Sequence, residues 1–149
     1  EAAGELKPVA LLCEGTRVSP EDSKPADEAV VSRRAMEAVA GSKGLVVADF
    51  GPRNIERLVI FLEIARQNGR KLVVLARDAH LLEAIAMADS TTPLPDAATG
   101  LYVFRDREGT TPVWKRNVLE RHQDATVNWE EVSASPRDYL LSTTGYNNP

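Results

Sequence analysis

Several things this sequence has little of narrow its reading at the outset. Among 149 residues there is one cysteine, Cys13, so neither an internal disulfide nor a cysteine-rich zinc site can form. Such a chain suits a reducing compartment, and the cytoplasm is the expected location. No apolar run approaches the roughly 18 to 20 residues that span a bilayer, and no basic-then-apolar leader opens the chain. There are two histidines, His80 and His122, each alone in its stretch, with no H-x-H-x-D-H, H-E-x-x-H or C-x-x-C around them. No complete transition-metal site can be assembled locally, and each reads as a surface residue near a helix end. G-x-G-x-x-G, a Walker A lysine and a G-x-S-x-G elbow are all missing, which removes the usual dinucleotide, nucleoside-triphosphate and esterase readings. Charge of one sign is lacking too. Against 22 Asp and Glu stand 18 Lys and Arg, a net charge of −4, so attraction to nucleic acid or an anionic membrane has to be local.

What is present is ordinary for one globular domain: 43% apolar, 27% charged, with no internal repeat and no second composition regime that would mark a boundary. Val9 to Cys13 is a nearly continuous apolar run that predicts a strand buried on both faces. Asp27 to Ala40 has helical spacing and stops at Gly41. Gly44 to Phe50 predicts a second strand, broken by Gly51-Pro52 before a helix with Ile55, Leu58, Val59, Leu62 and Ala65 on one face and Asn68-Gly69 at its end. Lys71 to Leu75 predicts a third strand, Leu81 to Ala88 a short helix, and Ser90 to Gly100, with two prolines, a loop. Beyond it, Leu101 to Phe104 reads as a strand, Val113 to His122 as a helix, Trp129 to Val132 as a helical turn and Tyr139 to Thr144 as a last strand. Short apolar strands alternating with helices imply an α/β fold, a Rossmann-like parallel sheet with helices on both faces and right-handed crossovers, filling residues 1–149 as one domain. A chain opening at Glu1 without Met and closing at Asn148-Pro149 is expected to be a piece of something longer.

Ligands of such sheets collect at the carboxyl ends of the strands, beside helix N-termini. Three strand ends matter. Cys13-Glu14-Gly15-Thr16-Arg17 offers a carboxylate, a flexible backbone, a hydroxyl and a guanidinium; Glu14 can orient a histidine or assist proton transfer, or simply pair with Arg17 in a solvated loop. Asp49 to Arg57 offers a phosphate cradle, in which Gly51 permits close backbone approach, Asn54 caps the helix, and Arg53 and Arg57 flank the helix amides. The plainer alternative makes Asn54 only a cap and Arg57 part of a wet face. Ala76 to His80 is the third, where Asp78 is expected to cap the next helix. From Arg53 to Arg77 six basic side chains (Arg53, Arg57, Arg66, Arg70, Lys71, Arg77) stand against two acids, Glu56 and Glu63, so this window carries +4 in a chain of −4, and a phosphate backbone could dock there.

The runs Leu11-Leu-Cys-Glu-Gly-Thr-Arg17, Leu45-Val-Val-Ala-Asp-Phe-Gly-Pro-Arg-Asn-Ile-Glu-Arg-Leu58 and Gly69-Arg-Lys-Leu-Val-Val-Leu75 resemble the β-CASP domain of metallo-β-lactamase-fold nucleases, the family of ribonuclease J and the polyadenylation endonuclease. In that family a strand-ending acid followed by a small residue and Thr forms the first motif, which Glu14 matches; an Asn-x-x-Arg helix opening matches Asn54 and Arg57, and a Gly-Arg-Lys before a strand matches Gly69 to Lys71. The resemblance implies a lid over an RNA channel, with Glu14 as the catalytic-site acid and Thr16, Arg17, Gly51, Arg53, Asn54 and Arg57 facing RNA. Its implied partners are RNA and the metallo-β-lactamase domain of the same parent chain, with no membrane. Two divalent metals, zinc being expected, belong to that other domain, whose histidine and aspartate ligands are not in this sequence. The family's later histidine-based motifs do not match His80 or His122. The parent is thus expected to be a metal-dependent ribonuclease and this piece not catalytic alone. Two other readings stay open: a free-standing module binding a phosphorylated small molecule through Glu14 and Gly51 to Arg57, and a protein-interaction domain, whose sign is a large exposed apolar patch.

Overall fold

The computed structural model describes residues 28–51, 53–106 and 112–143. The strand expected at Val9 to Cys13, and with it Glu14, Thr16 and Arg17, lies outside the described residues. Within them the chain runs α1 (Glu28–Gly41), β1 (Val46–Asp49), α2 (Ile55–Gln67), β2 (Lys71–Leu75), α3 (Ala76–Ala86), β3 (Leu101–Arg105), α4 (Val113–Arg121), β4 (Thr126–Asn128), α5 (Trp129–Ala134) and β5 (Tyr139–Thr143). Short 3₁₀ turns at Gln123–Ala125 and Pro136–Asp138 precede β4 and β5. The five strands form one sheet in the order β1-β5-β2-β3-β4, with every pairing parallel. This is the expected α/β Rossmann-like architecture.

Strand order and handedness together distribute the helices. From β2 through β3 to β4 the chain steps one way across the sheet, and right-handed crossovers keep the helices between them on one side. The β4-to-β5 connection steps back past β3 and β2, so the same handedness carries α5 to the opposite side. Burial agrees. Leu72, Val74, Leu101, Val103 and Leu140 point into one core with Val39 of α1, Leu58 and Leu62 of α2, Leu82 of α3 and Val118 of α4. The intervening strand residues Val73, Tyr139 and Val127 join Val132 of α5 in a smaller core on the other face. That second cover is partial: α5 has six residues and packs on β4, while Val47 of β1 is 56% exposed.

Local signals explain most boundaries. Asn54 caps α2, its Oδ1 accepting the Arg57 N–H at 2.9 Å. At the other end Gly69 takes φ 64°, the left-handed turn that lets the Arg70 N–H reach the Ala65 carbonyl at 2.8 Å. Three expectations are corrected. Helix α3 begins at Ala76, five residues before Leu81, because it follows β2 without a loop: Leu75 is the N-cap and Asp78 reaches back from the third helical position to accept the Leu75 N–H. Asp78 therefore does cap, from inside the helix. Strand β4 was not expected; only Val127 is apolar in it, and it exists through its register with β3, Val103 to Arg105 against Thr126 to Asn128. The second strand is shorter than Gly44 to Phe50, since Arg70 holds the Ser42 and Gly44 carbonyls before it.

Candidate functional site

The carboxyl ends of β1, β5, β2, β3 and β4 lie along one edge of the domain, and the expected site residues that are described sit there. After β1 the chain turns through Gly51, Arg53 and Asn54 into α2. This turn brings Gly51, Arg53, Asn54 and Arg57 together as expected, but it does not offer the amides a phosphate cradle needs. The Asn54 N–H donates to the Gly51 carbonyl at 3.0 Å, the Ile55 N–H to the Arg53 carbonyl at 3.1 Å, and the Arg57 N–H to Asn54 Oδ1. The turn instead presents charge, with Arg53 exposed and Arg57 half-buried one helical turn on.

The basic window between Arg53 and Arg77 does not act as one patch. Arg70 is 6% exposed and donates to the carbonyls of Ser42 (2.7 Å), Gly44 (2.8 Å) and Tyr139 (3.2 Å), tying the α1–β1 connection to the start of β5. Lys71 lies over the rings of Tyr102 and Tyr139, with Nζ 5.0 and 5.5 Å from their centroids. Arg66 donates through Nε to the Thr99 carbonyl at 2.7 Å. These three belong to the amino-terminal edge of the sheet and serve the fold. Arg77, at the start of α3, comes to the carboxyl edge with Arg53 and Arg57. Since β5 separates β1 from β2, their strand ends stand about 10 Å apart, two inter-strand spacings.

Beside Arg77, Asp78 is buried, its Oδ1 3.7 Å from Arg77 Nε and its Oδ2 without a hydrogen bond among the described residues. Burial pushes its carboxyl above the ordinary aspartate value, against the opposing pull of Arg77 and the Leu75 N–H.

The histidines are not solitary. Glu83 of α3 takes a two-pronged contact from Arg121 of α4, Nε to Oε1 at 2.7 Å and Nη2 to Oε2 at 2.6 Å. His122 Nε2 stands 3.0 Å from Glu83 Oε1 and its Nδ1 3.0 Å from the Pro95 carbonyl; His80 Nδ1 is 3.3 Å from Glu83 Oε2. The Arg121 guanidinium, aided by the two histidines, holds the Glu83 carboxyl down at about 2. This cluster joins α3, α4 and the loop before β3 and borders an open, mostly apolar hollow of about 590 Å³ that includes Met87 and Leu94. From sequence only His80 and Glu83, three apart on one helix, could have been paired; His122 is 39 residues from Glu83.

Among the described residues no three His, Cys, Asp or Glu side chains are placed to hold a metal ion. The metals implied by the β-CASP resemblance find no fitting donor set there. Nor is any helix among the described residues long and apolar enough to cross a membrane. No family model, curated protein or solved structure matches this chain.

Proposed function

We propose that this domain is the RNA-binding lid of a metal-dependent RNA-processing nuclease of the metallo-β-lactamase fold, with phosphodiester hydrolysis left to a separate metal-bearing domain of the parent. Two things support the reading. One is the motif likeness of the three runs Leu11 to Arg17, Leu45 to Leu58 and Gly69 to Leu75 to that family. The observation that carries it is the collection of Arg53, Arg57 and Arg77 on the carboxyl edge of the sheet, while the other basic residues of the same window are held at the opposite edge. Three guanidinium groups on this edge give a polyanion local contacts in a chain whose net charge is −4. Glu14, the acid that the likeness assigns to the parent's chemistry, lies outside the described residues.

The test is fluorescence anisotropy of a labelled single-stranded 12-mer RNA titrated with this chain across salt concentrations. Binding is expected to weaken linearly in log salt. Arg57→Ala lowers the affinity and flattens the slope by about 0.7, the share of one phosphate on a single strand. An RNA affinity and slope unchanged in Arg57→Ala, or no binding at roughly 50 mM salt, overturns the reading.

A further inference from the structure

A second feature of the carboxyl edge is not used by the arginines of the first turn. Leu75 and Phe104, register partners at the ends of β2 and β3, line a cleft of about 350 Å³. Arg77 borders it from α3, Asp106 from the end of β3, and Trp114 and Lys115 from the first turn of α4. It lies between the ends of β2 and β3, beside the first turns of α3 and α4, on the carboxyl edge where ligands of open α/β sheets bind.

The lining is selective. Trp114 is 40% exposed, a large aromatic surface left in contact with solvent, and it is held in orientation by stacking on His80 with ring centroids 5.6 Å apart. Lys115 is 8% exposed, and its ammonium is fixed by a 2.5 Å contact to Asp106 Oδ2. Arg77 brings a second cation whose side chain is 41% exposed. Arg77 and Lys115 each meet a carboxylate, Asp78 and Asp106, and offer their remaining N–H donors to a phosphate, while the indole favours a flat, π-bearing group. A sugar phosphate satisfies only the first preference, an uncharged aromatic only the second, and a nucleotide both. The volume is near the lower end of the roughly 300–1,000 Å³ typical of ligand pockets, which suits one nucleotide and not a stack of several.

We propose that this cleft takes one nucleobase of a single-stranded RNA, stacked on Trp114, with the adjoining phosphate held by Arg77 and Lys115. The proposal rests on the RNA reading above and deepens it: the Arg53–Arg57 turn holds backbone, and the cleft engages a base. Base stacking of this kind tolerates any sequence, because every base has a π face.

The experiment compares two labelled probes by anisotropy, a 12-mer oligoadenylate and an abasic ribose-phosphate chain of equal length. Each is titrated against the wild-type chain, Trp114→Leu, Trp114→Phe and Arg57→Ala, with thermal melts confirming that each variant folds. The wild type is expected to prefer oligoadenylate. Trp114→Leu should lose about tenfold on oligoadenylate, the scale of one stacked base, and nothing on the abasic chain, while Trp114→Phe keeps most of the affinity. Arg57→Ala should weaken both probes alike. Equal wild-type affinity for the two probes, full oligoadenylate affinity in Trp114→Leu, or an equal loss on both probes in that variant overturns the base site while leaving the RNA reading standing. Failure of the wild type to bind either probe overturns both.

Discussion

Replacing Glu83 with Gln removes a charge without changing shape, and the structure says how much that matters and over which pH range. The carboxylate accepts both prongs of Arg121 and one contact from each histidine, and its side chain is 18% exposed. Its carboxyl is lowered from 4.5 to about 2, chiefly by Arg121. Taken at face value this drop is worth roughly 3 kcal/mol, each tenfold in a protonation equilibrium being about 1.4 kcal/mol. Arg121 is 51% exposed, so solvent screens the pair, and about 1–2 kcal/mol is the expected net value. A carboxyl lowered on folding stabilises the fold fully above its unfolded value near 4.5, and that contribution disappears as pH falls towards 2. Urea unfolding of wild type and Glu83→Gln at pH 7 is expected to differ by about 1–2 kcal/mol, or about 3–6 °C in Tm for a domain of this size. The gap should narrow steadily between pH 4.5 and 2. A gap that stays constant down to pH 3, or none at pH 7, would mean that the fork does not hold α3 to α4 in solution.

Two further substitutions probe the elements behind the site. Arg70→Met leaves the carbonyls of Ser42, Gly44 and Tyr139 without their donor, and a loss of about 3 kcal/mol is expected by chemical denaturation; a loss below about 1 kcal/mol would show that water replaces the guanidinium. At Gly69 an added Cβ meets no atom within 4 Å, so Gly69→Ala reports backbone strain at φ 64° alone, about 1–2 kcal/mol. Gly41→Ala, equally unhindered and at the end of α1, should be neutral or slightly stabilising, and equal losses at the two glycines would refute the strain account.

Helix α2 and strand β2 were legible because their instructions are local. Asn54 at one end and Asn68-Gly69 at the other act over three or four residues, and Lys71 to Leu75 is apolar enough to be read as a buried strand. Strand β4 was illegible because Thr126 to Asn128 is a strand only by virtue of β3 beside it. The start of α3 was misread because its cap comes from the third helical position, where an Asp looks like an ordinary helix surface residue. At the site, Arg53, Asn54 and Arg57 could be read from the opening of a helix. Arg70 could not, since a basic residue near two others in sequence gives no sign that its guanidinium is buried under three carbonyls. Trp114 and Arg77 line one cleft only because α3 and α4 pack side by side, and no spacing within either helix announces it.

The place of β5 in the sheet also constrains how the molecule comes into being. Among the described strands β1 pairs with nothing but β5, and β5 also pairs with β2, so the strand that comes last in the chain joins the first to all the others. During synthesis, β1 waits without its sheet partner until about ninety further residues have left the ribosome, while β2, β3 and β4 can already associate. The long loops that β5 must close set a slow, late step, and the edge of β1 that faces β5 stays open to pairing with other chains until that step is complete. The arginine turn after β1 and the cleft after β2 thus become parts of a single surface only at the end of folding.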